Sequence, residues 1–323
     1  MSLKKLTGLI FLGLITGCIQ NTEEQKFWFK SSFVERDVVP SNDPRITEGA
    51  KSINKFALKM YKQIIEDDKN IFFSPYSITT ALAMTNAGAV GITDTEMRNA
   101  LQVTLPGSDF YAALNGLDQS LAEHTRATQN LQLNVVNSIW QQKDLMLNVS
   151  YLDLLARHFD AAVNFLDFRS QPEQSRIIIN DWVQEQTNDR IKDLLPAGTI
   201  TIETKLVLTN AIYFLADWLL QFNTNKTRNQ QFQKIDKSVV TVPMMKLEGK
   251  NSEGIKLLYK RAADSRVLEL PYRGERIVMD LILPDSGRFS AFESALTEET
   301  LSTLINGIDS TALDNVQIPK FEF

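Results

Sequence analysis

The chain has 323 residues, 43% of them apolar, with 34 Lys plus Arg against 39 Asp plus Glu and a formal charge of −5. That length and apolar share suit one large core, and no Pro/Gly/Ser-rich linker or internal repeat divides it. Mild acidity without a basic stripe argues against nucleic acid as a partner, and the single cysteine excludes an intramolecular disulfide.

Residues 1–17 read as a signal peptide. Lys4 and Lys5 form a basic head, and LTGLIFLGLI (6–15) is an apolar run too short for a comfortable membrane span. Ile15-Thr16-Gly17-Cys18 resembles the bacterial lipoprotein cleavage box, which implies a lipid on Cys18, membrane attachment through it and an extracytoplasmic location. Residues 18–44 are a polar tether. Its aromatic run FWF (27–29) is expected to dock on the domain or on the membrane interface.

The domain occupies 45–323. Asp43-Pro44 opens a helix with Ile46, Ile53, Phe56, Ala57, Met60 and Ile64 at helical spacing. Residues 70–101 read as a strand, a helix, a glycine turn and a second helix. Ser74 is the N-cap and Pro75 the first helical residue, Gly88 and Gly91 stop that helix, and Thr93 with Glu96 makes a capping box for the next. A helix follows over 109–126, a strand over 131–140, a helix from Asn148 to about His158 and a strand over 161–168. The spacing predicts a helix over 172–193, with Ile177, Ile178, Trp182, Val183 and Ile191 on one face. LVLTNAIYF (206–214) is nearly continuous apolar, as for a strand covered on both faces. Residues 289–306 read as one helix. Helices first and strands later, without strict alternation, point to an α+β fold with large mixed or antiparallel sheets.

The catalytic inventory is poor. His124 and His158 each sit on a predicted helix with no G-x-S-x-G elbow to serve. H-E-x-x-H and C-x-x-C are absent, and GAVG (88–91) lacks the form of a phosphate loop. No catalytic, cofactor-binding or metal-binding residue is therefore expected. The sequons at Asn148 and Asn225 read as accidental. Two residues stand out by contrast with their neighbours. Asn210 lies in the middle of an apolar strand, where a buried amide left without partners costs about 1–3 kcal/mol, and Trp218 follows the same strand.

The run NIFFSPYSITTALAMTNAGAVGITDTEMRNAL (70–101) closely resembles the helix B region of the serpins, a family of serine-protease inhibitors. NDWVQEQTNDRIKDLL (180–195) is similar to the family's helix F segment, and LVLTNAIYFLADW (206–218) to the central strand that follows it. VTVPMMK (240–246) and VLELPYRGERIVMDLILPD (267–285) resemble strands of the B sheet. VQIPKFEF (316–323) resembles the strand that leads back into the main sheet. The resemblance implies an α+β serpin-like fold with a large mixed sheet A, smaller B and C sheets and eight or nine helices.

The resemblance also implies a mechanism. An exposed bait loop is cleaved by a serine or cysteine protease, and the freed loop inserts as a new strand in the main sheet, carrying the acylated protease with it. The implied form is a monomer, not an enzyme, needing no cofactor. Ser74, Ser77 and Asn210 match the "shutter", a polar network behind the main sheet, and Trp218 matches the "breach", where insertion begins. Before that tryptophan the family carries Lys or Gly-Lys, where this chain has Leu215-Ala216-Asp217. The sequence ends at Phe323 inside an alternating strand pattern, ahead of the family's bait loop, so the reactive-site bond is expected to lie outside it. The alternatives are a non-inhibitory serpin-fold binding protein, set apart by bulky or charged hinge residues, and a lipoprotein hydrolase, which would need one of the two histidines as base.

Overall fold

The structure is a computed structural model and describes residues 28–29, 34–66, 69–161, 163–248, 257–310, 313 and 315–321. The signal segment and Cys18 lie outside the described residues.

In chain order the elements are β1 (Trp28–Phe29), α1 (Pro44–Ile64), α2 (Pro75–Asn86), α3 (Gly91–Ala100), α4 (Asp109–Ala127), β2 (Leu131–Gln142), α5 (Val149–Phe159), β3 (Val163–Leu166), α6 (Pro172–Gln186), β4 (Leu206–Ala216), β5 (Arg228–Gln233), β6 (Val239–Glu248), β7 (Leu258–Arg261), β8 (Ser265–Pro271), β9 (Val278–Pro284), α7 (Phe289–Ala295), α8 (Glu298–Ile305), β10 (Asp309–Ser310) and β11 (Asn315–Pro319). A single 3-10 turn, Thr224–Lys226, precedes β5.

Among the described residues the strands form three sheets, ordered β1-β3-β2-β4, β10-β7-β8-β9 and β11-β6-β5. The first is the main sheet and is mixed: β2 runs parallel to β3 and antiparallel to β4, with Asn137 opposite Asn210. Its two faces build two cores, because successive strand residues point to opposite sides. Ile139, Val163, Phe165 and Leu208 pack with α1, α2, α4 and α5 around Met84, Phe110 and Leu155. Trp140, Leu166 and Val207 pack on the other face with α6, around Phe168 and Ile179. A third cluster, with Leu247, Leu257, Leu268 and Leu270, joins the two smaller sheets. The α+β architecture is thus the one expected.

Of the aromatic run 27–29, Trp28 and Phe29 pair antiparallel with Asn164 and Val163 of β3, and Phe27 lies outside the described residues.

Local wording decides several boundaries. Asp43 caps α1 by accepting from the Arg45 N–H at 2.9 Å, and Ser74 caps α2 by accepting from the Ser77 N–H at 3.3 Å. The capping box expected at Thr93 and Glu96 does not form. Gly91, at φ +62, lets α3 start three residues earlier, with Val90 at the N-cap, and the Asp94 carboxylate takes the Asn86 amide instead, at 2.9 Å.

The strand expected before Ser74 enters no sheet among the described residues. α6 stops at Gln186 rather than 193, because Asn188 and Asp189 are left-handed and the Thr187 hydroxyl bonds back to the Val183 carbonyl. The helix expected over 289–306 is two helices. Thr297 breaks it by exchanging bonds with Thr300 in a capping box for α8.

Two strand assignments also change. VTVPMMK belongs to β6, in the three-stranded sheet, apart from β8 and β9 in the other small sheet. β11 pairs with β6 and not with the main sheet. The apolar pattern identified both as strands, but nothing local specifies which sheet a strand joins.

Candidate functional site

The site is the main sheet along β4, with its polar backing and its upper end. Among the described residues β4 hydrogen-bonds to β2 alone, and its eleven residues carry no charge. α2 packs behind one face and α6 lies over the other.

The polar backing has two rows at one level. On the α2 side, Asn210 Nδ2 donates to Asn137 Oδ1, while Asn210 Oδ1 is buried without a partner. On the α6 side, the Trp140 indole donates to Thr209 Oγ1 at 2.9 Å, and Asn164 Nδ2 donates to Ser138 Oγ at 2.5 Å. Thr209 and Ser138 are 1% and 2% exposed, so these bonds are made away from water.

The structure places Ser74 and Ser77 at the N-terminus of α2. Their bond to each other closes that turn, and among the described residues neither is hydrogen-bonded to Asn210. Sequence reading missed Asn137, Ser138, Thr209 and Asn164. The amides and hydroxyls within LQLNVVNSIW and VNFL were visible, but their partners are set by strand register 26 to 73 residues away.

At the upper end, Trp218 is half-buried and stacks on Tyr272, with ring centroids 4.3 Å apart and planes at 15°. The two residues also form an antiparallel backbone bridge that ties the main-sheet strand to the β8–β9 hairpin. Leu219 N–H donates to the Pro271 carbonyl at 2.9 Å, and Arg273 N–H to the Asp217 carbonyl at 2.8 Å. Tyr272 meets Phe214 edge-on at 4.9 Å, and burial raises its phenol above the ordinary range. Asp217, where the family carries a cation, accepts from Asn130 Nδ2 at 3.0 Å.

The hairpin turn closes onto α4. Gly274, at φ +91, sits where a Cβ would stand 2.6 Å from Thr128 Oγ1 and 2.7 Å from the His124 ring. Only glycine fits that approach. His124 is buried, with Nε2 unpartnered and Nδ1 3.5 Å from Thr128 Oγ1. Burial, with Arg276 beside it, holds its imidazole below the ordinary range. His158 is buried next to Tyr111, with Nδ1 unpartnered and its pKa likewise lowered by burial. Among the described residues no carboxylate is hydrogen-bonded to either ring, and the one hydroxyl near His124, Thr128 Oγ1, lies at 3.5 Å, so no nucleophile–base–carboxylate set is assembled. Among the described residues no three His, Cys, Asp or Glu side chains converge to hold a metal, and no helix is long and apolar enough to cross a membrane.

An α+β molecule with a mixed, amide-backed main sheet, stapled at its top to a hairpin of a second sheet, is of a serpin-like class. The comparisons agree. The model of the family "Serpin (serine protease inhibitor)" matches residues 51–323, and the chain belongs to the serpin family. It is 29% identical to a serpin-like protein of Methanosarcina acetivorans, covering 99% of this chain and 74% of that one. It is 36% identical to mouse antithrombin-III, covering 89% of this chain and 62% of that protein. Among solved structures, emu ovalbumin superposes with a TM-score of 0.76 at 25% identity, covering 84% of this chain and 73% of that one.

Proposed function

We propose that the chain is an inhibitor of extracytoplasmic serine or cysteine proteases, held at a membrane by a lipid on Cys18 and working by strand insertion into the main sheet. The observation that carries this reading is the serpin family match over residues 51–323, together with a mixed main sheet whose β2–β4 pair is backed by buried amides. A strand inserted into that sheet gains a ladder of backbone hydrogen bonds, each worth about 0.5–1.5 kcal/mol net. The state without it is then held kinetically, by the barrier to opening and not by depth. The backing amides suit such a step: a hydrogen-bonded pair can exchange partners as strands move, whereas interlocked apolar side chains resist displacement. Asn210, Trp218 and the α2 N-terminus with Ser74 and Ser77 are assigned to controlling the opening. The similarity to antithrombin-III supports the choice of protease as target.

The test takes the protein with the bait loop that the resemblance implies outside residues 1–323, since the chain without it is expected to be inactive. It is incubated with serine proteases of trypsin-like, chymotrypsin-like and elastase-like specificity, followed by denaturing electrophoresis. A covalent 1:1 complex that survives denaturation is the expected result. Cleavage or indifference, with no complex for any protease, overturns the inhibitor reading and leaves a serpin-fold binding protein. Metabolic labelling with a fatty acid, lost in Cys18→Ser, tests the lipid separately.

A further inference from the structure

The β5–β6 hairpin stands out from the body of the protein. Every residue from 228 to 241 is exposed, on both faces of the ribbon. Its polarity is graded along its length and not across its faces. The base carries Arg228, Asn229, Gln230 and Gln231 on one strand. The tip carries Phe232, Ile235, Val239 and Val240, with Ile235 61% and Val239 54% exposed. Phe232 and Val240 are cross-strand partners, while Val239, opposite Gln233, points to the other face. The apolar residues therefore surround the end of the ribbon, a shape that suits end-on entry into a medium better than docking by one face on a protein.

The tip is also built to lose water. The Lys234 N–H donates to the Ser238 carbonyl at 2.9 Å, and the Lys237 N–H to the Lys234 carbonyl at 3.0 Å. Asp236, the one acid there, accepts from both the Ser238 N–H and hydroxyl, and Lys234 lies 3.3 Å from it. Three backbone N–H groups of the turn, those of Lys234, Lys237 and Ser238, are thus already bonded within it, which lowers the cost of entering a lipid surface. Lys234 and Lys237 flank the apolar residues and can snorkel to phosphates.

We propose that this hairpin is a second membrane contact, its tip entering the headgroup region of an anionic lipid surface end-on. Phe232 and Ile235 are three residues apart, about 10 Å of extended chain, and interfacial segments bury to about 5–10 Å. The proposal rests on the membrane-tethered reading for the presence of the bilayer, but uses different residues.

The experiment takes the full chain with Cys18→Ser, so that any lipid on Cys18 is gone, and adds one cysteine at a time as Ile235→Cys, Val239→Cys or Asn229→Cys. Each carries an environment-sensitive fluorophore and is mixed with vesicles of phosphatidylglycerol and phosphatidylcholine with brominated acyl chains. Labels at 235 and 239 are expected to shift blue and to be quenched, and the label at 229 to do neither. Lys234→Gln with Lys237→Gln should weaken the anionic-vesicle affinity by roughly fivefold per lysine. Labels at 235 and 239 that stay in water overturn the proposal, whether the vesicles are left unbound or are bound through the N-terminal segment. A blue shift produced instead by a protein, with vesicles giving none, overturns it equally. Fatty-acid labelling at Cys18 reads the tether independently of all these outcomes.

Discussion

Asn137 and Asn210 face each other across β2 and β4, and one amide is spent on the other: Asn210 Nδ2 donates to Asn137 Oδ1. Among the described residues Asn210 Oδ1 is left buried with no partner. The pair therefore fastens the strands while holding an acceptor in reserve.

Asn210→Ala removes the donor and leaves Asn137 Oδ1 unpaired, which should destabilise the protein by about 1–3 kcal/mol. Urea unfolding of the two single variants and of the double variant with Asn137→Ala checks it. The double variant should cost clearly less than the sum of the singles, because the loss is shared. Additive losses would show that the amides act independently.

Removing the Tyr272 ring should cost more. Tyr272→Ala takes away the stack on Trp218 and the edge contact with Phe214, with an expected loss of about 3–5 kcal/mol. Tyr272→Phe keeps both contacts and should stay within about 1 kcal/mol of the parent, since no hydrogen bond of the hydroxyl is at stake. Thermal melting gives the size, and Trp218 emission should shift to the red in the alanine variant alone.

Acid should weaken the fold as its two buried histidines are made to charge. Burial lowers the pKa of both His124 and His158. Near pH 6.5, the ordinary histidine value, the unfolded chain binds protons that the folded one refuses. Stability therefore falls as the pH drops below about 6.5. Melting temperatures read from pH 7.5 to 5.5 should decline, and His124→Gln, which stays neutral, should flatten the slope. An unchanged slope in both His124→Gln and His158→Gln would refute the assignment.

Glu269 and Asp280 are direct cross-strand partners in β8 and β9, and both carboxyls are raised, by burial and, for Glu269, also by the Asp280 charge. Their raised values favour the fold at low pH and cost stability once both ionise. Asp280→Asn should accordingly stabilise the protein at pH 7 by about 0.2–1 kcal/mol, the usual size of a cross-strand pair term. The gain should shrink as the pH is lowered through the carboxylate range, which differential melting at pH 7 and pH 4 would register.

What the sequence made legible was whatever is encoded within a few residues. Ser74 with Pro75 marked the start of α2, Asn148 the start of α5, and the uncharged run around Asn210 marked β4 as a strand. Asn210 could be singled out because an amide in apolar company is costly. Its partner could not, because Asn137 meets it only through the register of β2 on β4. The same holds for Trp218: its ring was conspicuous, but Tyr272 lies 54 residues further on, just past a strand of a different sheet. Competition between neighbouring signals explains the errors of boundary. Gly91 outbid Thr93 for the start of α3, and Thr297 divided a run whose apolar spacing continued through it. Sheet membership of β6 and β11 was the least legible feature, since an alternating strand can lie against any edge that matches its pleat.

The ring contact at the head of β4 has a mechanical meaning. Trp218 lies just beyond the end of β4, the strand whose movement would part the main sheet for a newcomer, and Tyr272 in a hairpin anchored on α4 through Gly274. A sideways load on β4 is thus borne first by two flat surfaces in shear. Flat surfaces slide with little loss of contact until they part abruptly. Such a fastening yields all at once, so the sheet would answer a rising load as a catch releases and not as a spring extends.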